Sequence, residues 1–193
     1  IGIVTSANLS LGDTPSPTLQ INENNTGQSQ YNGPNSETIQ WDFTSQYEIR
    51  SSPTIGENNT IYFTDGVFSG NDGNLYAVAN NSTHLWNLSI GSTGNSVTIG
   101  SDGNLFIGTN NGTFYAISPN GVILDTFKAL NKISSTAAIF NDTIYITSMS
   151  NDIGGVLKGT LYGLKFDGTS FTEVMNSIIS NDELGYGLHS SKP

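Results

Sequence analysis

The side chains that could do chemistry in this chain are mainly carboxylates, and several of them lie in short Gly/Asn/Asp stretches. They are Asp72, Asp102, Asp142, Asp152, Asp182 and Glu183, in SGNDGN, GSDGN, FNDT, SNDIGG and SNDE. A calcium loop needs several oxygen donors at alternate positions around one centre, whereas each stretch supplies one or two. Asx side chains also stabilise tight turns through their own hydrogen bonds. We interpret these residues as turn residues and predict no metal site.

Nucleophiles and general bases are equally sparse. The chain has no Cys, which excludes a disulfide, a thiolate metal site and a cysteine nucleophile. Neither His84 nor His189 has a Ser or carboxylate at a spacing that suggests a triad. No Gly-rich stretch has the Gly-x4-Gly-Lys pattern of a phosphate loop. We therefore predict that the chain is not an enzyme and has no catalytic residue.

Charge and hydropathy exclude further classes. The 193 residues carry 6 basic and 16 acidic side chains, a net charge of −10, which repels phosphate backbones and anionic membranes. No apolar run approaches the length of about 18 residues that a membrane-spanning helix needs. We expect no nucleic-acid partner and no membrane insertion within this segment. The 22 Gly and 23 Asn residues tolerate positive φ, so the chain should turn often.

Asparagine also forms eight Asn-X-Ser/Thr sequons, which are typical of a secreted or cell-surface chain. Chance alone produces some of them, because Asn, Ser and Thr are abundant. Our glycosylation candidates are Asn58, Asn80, Asn87, Asn111 and Asn141. We expect at least one of the first four to carry sugar in protein from its native source. An intact mass equal to that of the bare polypeptide would contradict this. Together with the low charge and absent Cys, the sequons favour an extracellular or cell-surface location.

The elements that position these residues form a repeat. PTIGENNTIYF, residues 53–63, aligns with VTIGSDGNLFI, residues 97–107, at an offset of 44, and with AAIFNDTIYI at 137–146. A second related run follows each copy: GNLYAVAN, GTFYAISPN and GTLYGLKFDG. A further apolar run comes next in each: HLWNLSI, VILDTFKAL and SFTEVMNSI. Each unit therefore consists of four short strands joined by polar turns.

Four strands in every 40 to 47 residues or so are typical of a β-propeller blade. A small twisted sheet cannot bury both faces alone, so blades pack face to face. A β-sandwich or solenoid also has short strands, but neither predicts this repeated four-strand unit. We predict an all-β propeller with antiparallel blades at about 50–90, 95–130 and 134–178, and no helix longer than two turns inside them. Ile55, Ile99 and Ile139 should be buried at equivalent positions.

The pattern SSPTIG…NTIYF…GNLYAV…LWNL resembles the quinoprotein-type (PQQ-like) β-propeller repeat, in the non-enzymatic branch of secreted and archaeal-type surface proteins. The resemblance covers residues 24–193, and residues 1–23 are an extended lead-in. It implies that Trp86 docks one blade against the next and that Trp41 lies in a closing-blade strand near 38–45. The second unit has Asp125 at the docking position, and the third has Glu173 or Val174.

The end of the chain, GLHSSKP, resembles the RSSP that opens a unit at Arg50, so residues 187–193 are predicted to begin a further blade. Three blades plus partial ones are too few to close a ring. The chain is then either a piece of a longer protein or one of several copies that complete a ring, and we favour the first.

The resemblance also bears on cofactors. Quinoprotein enzymes of this family hold a quinone and a calcium ion on the propeller axis, with a stacked Trp and a vicinal disulfide. This chain has no Cys, and both of its Trp residues are assigned to structural positions. We predict no bound cofactor.

Two long loops are candidate binding surfaces, because partners are often bound by loops that vary without disturbing the sheets. TDGVFSGNDG and TSMSNDIGGVLKG replace the short TNNG of the second unit. Harmless elongation explains them equally well. The candidate residues are Val67, Phe68, Asp72, Asp152, Ile153, Val156 and Leu157.

These observations favour an extracellular or cell-surface scaffold or adhesive binding module without catalytic activity. Its partners would be other surface proteins, further blades of the same protein or like chains. One alternative is a structural subunit of a surface layer or filament. Another is part of a quinoprotein-like oxidoreductase whose catalytic residues lie outside this segment.

Overall fold

A computed structural model of the chain describes residues 9–19, 24, 26–28, 32, 37–67, 71–149 and 158–180. Within these ranges the protein is all-β, with twelve strands in three four-stranded antiparallel sheets. The described helical structure is a single short 3-10 turn, Glu57–Asn59. The prediction of consecutive four-stranded sheets without long helices is confirmed. The three sheets do not close into a ring.

Each sheet is a simple meander whose spatial order follows the sequence. The first sheet contains β1 (Thr54–Ile55), β2 (Ile61–Thr64), β3 (Asn74–Val78) and β4 (His84–Ser89). The second contains β5 (Thr98–Ile99), β6 (Leu105–Gly108), β7 (Thr113–Ile117) and β8 (Ile123–Lys128). The third contains β9 (Ala138–Phe140), β10 (Thr143–Met149), β11 (Lys158–Phe166) and β12 (Phe171–Ser180).

Strand register makes the three sheets equivalent position by position. Tyr62 pairs with Ala77, Phe106 with Ala116 and Tyr145 with Gly163. Between the third and fourth strands, Ala77 pairs with Trp86, Ala116 with Asp125 and Gly163 with Met175. Paired residues project from the same face of a sheet, so these sets mark the same face in all three sheets.

The core lies between successive sheets. The first interface joins Tyr62, Leu75 and Ala77 of the first sheet to Ile99, Leu105, Ile107 and Ile117 of the second. The second interface joins Phe106, Phe114 and Ala116 to Ile139, Ile144, Ile146, Tyr162, Leu164 and Phe166 of the third sheet. An aromatic or small residue on one sheet thus meets mainly aliphatic residues on the next. The second sheet is covered on both faces.

Hydroxyl groups link the segments at the start of each sheet's first strand across the same interfaces. The backbone N–H of Ser52 donates to Ser96 Oγ at 3.0 Å, and the N–H of Ser96 donates to Thr136 Oγ1 at 3.2 Å. The Thr98 hydroxyl donates to the carbonyl of Ala137 at 2.7 Å. One polar contact is therefore repeated from each unit to the next.

The buried equivalence predicted for the three Ile residues is correct for two of them. Ile99 and Ile139 are buried, whereas Ile55 is only half-buried. Ile55 pairs with Ile61, as Ile99 pairs with Leu105, so its position in the sheet is as predicted. It lies on the face of the first sheet that no preceding sheet covers, which explains its exposure.

A non-strand segment, residues 37–48, covers part of that face of the first sheet. The Phe43 ring lies 5.9 Å from the ring of Phe63 and 5.8 Å from that of Tyr76, measured between centroids. The strand predicted near 38–45 would need the edge of a further sheet as its partner. Within the described residues, 38–45 pair with no strand.

The lead-in segment, residues 9–18, contacts all three sheets at or next to the first strand of each. Ser16 pairs with Ile55 of the first sheet and Leu11 with Gly100 beside the second. Leu9, which is buried, exchanges hydrogen bonds with Asp142 next to the third sheet. We call residues 9–18 the strap, because they connect three sheets that are successive in the chain.

Candidate functional site

Trp86 lies at the junction between the first and second sheets. Its indole N–H donates to the carbonyl of Pro119, in the turn between β7 and β8, at 3.0 Å. The ring centroid lies 6.0 Å from that of Tyr62. Gly121 packs so closely that a Cβ there would come within 2.8 Å of the indole Cδ2. The Trp therefore contacts the sheet that follows its own, although its side chain is only half-buried.

The equivalent position in the second sheet uses a different contact. Asp125 Oδ2 accepts a hydrogen bond from the backbone N–H of Phe171 in the third sheet, at 2.7 Å. Two residues along, the Phe127 ring lies 5.2 Å from that of Tyr162. Register puts Met175, and not Glu173 or Val174, at this position in the third sheet. The offset arises because Gly163 and Met175 are twelve positions apart, whereas Ala77 and Trp86, like Ala116 and Asp125, are nine apart. A bulge at this point is common to all three sheets.

Trp41, the other candidate docking residue, belongs to residues 37–48. Its side chain is 37% exposed. Trp86 contacts the second sheet directly. The segment around Trp41 instead contacts the first sheet chiefly through Phe43 and Tyr47.

Among the described residues, the carboxylates of Asp102 and Asp167 act within their own turns, whereas that of Asp142 bonds to the strap and to β11. Asp102 accepts hydrogen bonds from the backbone and side chain of Asn104. Asp142 accepts from Lys165 Nζ at 2.9 Å and from the N–H of Leu9, and these bonds hold its pKa below the usual range. Hydrogen bonds from the hydroxyl and N–H of Thr169 and from Ser170 lower the pKa of Asp167 to about 2. No group of three or more potential ligands within the described ranges could hold a metal ion.

Two candidate loop residues can be placed. Val67, 37% exposed, donates its N–H to the carbonyl of Asp72, which closes the loop between β2 and β3. The remaining candidates, Phe68, Asp152, Ile153, Val156 and Leu157, lie outside the described residues. So do His189, Asp182, Glu183 and the blade start predicted at 187–193.

The five glycosylation candidates are all exposed: Asn58, Asn80, Asn87, Asn111 and Asn141. Asn111 Oδ1 accepts hydrogen bonds from the Thr109 hydroxyl and the Thr113 N–H. Exposure meets the steric requirement for modification, and occupancy stays a prediction.

One face of the third sheet is equivalent to the face of the first sheet that carries Trp86 and the face of the second that carries Asp125. We call it the open face. It contains Tyr145, Leu161, Gly163 and Met175, with Phe140 and Met149 at its margins. Phe140 is 63% exposed and Met149 58%. Polar faces normally meet solvent, so an apolar face of this kind indicates an interaction surface.

A cleft of about 370 Å³ opens between the first and second sheets, on the side where β1–β2 and β5–β6 turn. We call it the hairpin-end cleft. The strap and the turns line it with Asp13, Thr14, Glu57, Asn58, Thr60, Ser101 and Asn120, and its apolar part consists of Tyr62, Leu85, Trp86, Ile99 and Pro119. Burial, and to a smaller extent the negative charge of Glu57, raise the pKa of the Tyr62 hydroxyl.

Sequence reasoning missed two structural features, the buried Asp65 and the strap. Asp65 is fully buried and accepts hydrogen bonds from Tyr47 N–H, Asn74 and the Tyr76 hydroxyl. It fastens residues 46–48 to the first sheet. The signal was present in FTDG, where an Asp directly follows an apolar strand, but it has no counterpart in the other units. The strap was missed because an irregular segment has no periodicity to read.

Two comparisons with known proteins give no assignment. No protein-family model matches the chain, and no curated protein matches it. No helix among the described residues has the length and apolar character needed to cross a membrane. Function must therefore be argued from the arrangement of the sheets and their exposed surfaces.

Proposed function

We propose that this chain is a scaffold and adhesive binding segment of an extracellular or cell-surface protein, built as part of a β-propeller. Its sheets stack through a repeated interface, as propeller blades do. The sequons, the low content of Lys and Arg and the missing Cys support a surface location. The loop between β2 and β3 and the cleft between sheets provide places for a partner to bind.

The open face carries this proposal. At the positions where the first and second sheets each cover a following sheet, the third sheet has the apolar residues Tyr145, Leu161 and Met175. The backbone N–H of Thr136 is equivalent to those of Ser52 and Ser96, and no hydroxyl among the described residues accepts from it. The open face thus has both the apolar residues and the backbone N–H that form the two packed interfaces, and neither has a partner among the described residues.

The partner that fits this face is another four-stranded sheet with an aliphatic surface and a hydroxyl beside its inner strand. The second and third sheets present such surfaces, through Ile99 and Leu105 and through Ile139 and Ile144. A further blade of the same protein or of a like chain has this chemistry. Burial of each such side chain contributes about 1.5–3 kcal/mol.

An apolar-surface dye tests the open face directly. The chain should bind the dye and self-associate with rising concentration, and Met175→Lys should reduce both signals because it places a charge at the centre of the face. Val122→Lys is the matched control, since Val122 is 59% exposed in the turn between β7 and β8. Dye fluorescence and sedimentation velocity are the measurements. Equal signals from both variants would refute the open face as a docking surface.

A structural subunit of a surface layer or filament is the second candidate, and β12 favours it. This outer edge strand has ten residues, against six in β4 and β8, and exposes Val174 and Ile178. Long apolar edge strands pair readily with other chains. Growth beyond dimers in the sedimentation experiment would support this role, and a defined small oligomer would count against it.

A further inference from the structure

The hairpin-end cleft differs from the open face in having the size and mixed lining of a small-molecule site. Its volume of about 370 Å³ lies within the usual range for ligand pockets, about 300–1,000 Å³. Residues of the strap and of the turns in both neighbouring sheets line it. The cleft is thus a product of the stack and cannot be read from one repeat unit.

One wall of the cleft is apolar and accessible. Leu85 is 48% exposed although it lies beside Trp86 and Pro119 in the same cleft. Gly121 lies against the indole, and Trp86 also lines the cleft. This wall matches a ligand with a C–H surface, since aliphatic and aromatic groups pack on such surfaces without needing hydrogen bonds.

The facing wall is polar and contains no Lys or Arg. The exposed carboxylates of Asp13 and Glu57 receive no hydrogen bond from any described residue. Asn58 and Asn120 add amides, and Thr60 adds a hydroxyl. Thr14, on the same cleft, has a buried hydroxyl oxygen without a hydrogen-bond partner among the described residues, a group that polar ligands or water usually satisfy.

These groups select the chemistry of the occupant. The carboxylates accept hydrogen bonds only and repel anions, whereas the amides need both a donor and an acceptor. An ammonium group offers donors alone. A neutral sugar offers hydroxyl donors, oxygen acceptors and a C–H face together. We propose that the hairpin-end cleft binds a neutral saccharide, with its C–H face on Leu85 and Trp86 and its hydroxyls on Asp13, Glu57 and the amides.

The neighbouring cleft, between the second and third sheets, lacks this combination. There Lys165 already pairs with Asp142, and the carboxylates of Asp102 and Asp167 are held in their own turns. Asp125 replaces Trp86 at the equivalent position. The proposal therefore applies to the first cleft alone.

The saccharide has two possible sources with the same chemistry. Asn58 lies in a sequon and lines the cleft, so a glycan on this residue would begin at its mouth. A free or partner-borne saccharide is the other source. Unglycosylated protein isolates the second source, and comparison with the Asn58→Gln variant from a glycosylating host isolates the first.

Fluorescence of Trp86 provides the test. Trp41→Phe leaves Trp86 as the single Trp, and unglycosylated protein in this background is titrated with cellobiose, lactose, glucuronate and n-butylammonium to roughly 50 mM, enough to saturate a site with a dissociation constant of about 1 mM. A neutral disaccharide should change the fluorescence saturably. Leu85→Ala, and Asp13→Asn with Glu57→Gln, should each weaken binding about tenfold, equivalent to about 1.4 kcal/mol.

Leu130→Ala and Asp42→Asn are the matched controls, because both residues are exposed and neither lines the cleft. They should leave binding unchanged. The proposal is wrong if neither disaccharide alters Trp86 fluorescence, if the cleft variants bind as tightly as the controls, or if only butylammonium or glucuronate binds. Protein from the glycosylating host that binds no added disaccharide until Asn58 is replaced would identify the attached glycan as the occupant. This inference rests on the proposed binding role, but its result is independent of Met175→Lys at the open face.

Discussion

At the scale of single residues, two sheets are joined by an unusually close fit between Trp86 and Gly121. The indole N–H donates to the carbonyl of Pro119, and Gly121 of the same turn lies against the ring. Gly121 has φ +81, a conformation that side-chain-bearing residues rarely adopt, and it leaves no room for a Cβ. The glycine thus serves both the turn and the contact between sheets.

Gly121→Ala should destabilise the protein by more than backbone strain alone, which costs about 1–3 kcal/mol for a residue with positive φ. Gly168→Ala is the matched control, since Gly168 has φ +97 in the equivalent β11–β12 turn and nothing lies near its missing Cβ. Urea unfolding of both variants measures the difference. Equal losses would show that the Trp86 contact adds no constraint.

Asp167 should make stability depend on acid pH. Its folded pKa of about 2 lies below the ordinary value of 3.8, so the carboxylate stabilises the folded state above about pH 4. That contribution should disappear as the pH falls from about 4 to about 2. Asp167→Asn should therefore be less stable than the parent near neutral pH and should approach it near pH 2. Urea unfolding across this range tests the expectation, and a carboxyl pKa near 3.8 by NMR would contradict it.

At the scale of elements, the strap does work that the sheets cannot do alone. β1 and β5 have only two residues each, and each has one edge unpaired within its sheet. The N–H of Ile55 donates to the carbonyl of Ser16 at 2.8 Å, and that of Ile99 donates to Pro17 at 2.8 Å. Edge strands this short would otherwise leave backbone groups without partners.

Removal of residues 1–18 should expose the edges of β1 and β5. Amide exchange at Ile55 and Ile99 should become much faster, because both N–H groups lose their acceptors. Ile107 is the internal control, since β6 is paired on both sides within the second sheet. Hydrogen exchange followed by NMR distinguishes the two sites. Unchanged protection at Ile55 and Ile99 would mean that the strap contributes no structural hydrogen bonds.

Sequence reasoning succeeded where a periodic signal existed. The offset of 44 between Ile55 and Ile99 predicted the sheets and the equivalent positions of these two residues within them. It did not put Met175 opposite Gly163, because the β11–β12 hairpin is three residues longer than the equivalent hairpins of the first two sheets, while the bulge beside it is common to all three. The cleft was also beyond reach, because Asp13, Glu57 and Trp86 come together only after the sheets have stacked.

At the scale of the whole molecule, the stack should not be uniformly stable. The second sheet is covered by the first on one face and by the third on the other. Among the described residues, the first sheet is capped only by Phe43 and its neighbours, and the third sheet exposes Phe140 and Met149. In stacked repeats, stability comes from the interfaces between neighbours, so the unit with two interfaces is held most strongly.

Native-state hydrogen exchange should therefore rank β6 above its equivalents in the outer sheets. Leu105, Phe106 and Ile107 are almost fully buried, and their matched positions in the third sheet are Ile144, Tyr145 and Ile146. Tyr145 faces the open side, so local opening of the third sheet exposes less apolar surface and costs less free energy. Ile146→Ala should speed exchange throughout β10 while leaving β6 close to the parent. If β10 were as well protected as β6, or if both responded equally to Ile146→Ala, the three sheets would unfold as one unit and the open face would carry no penalty in stability.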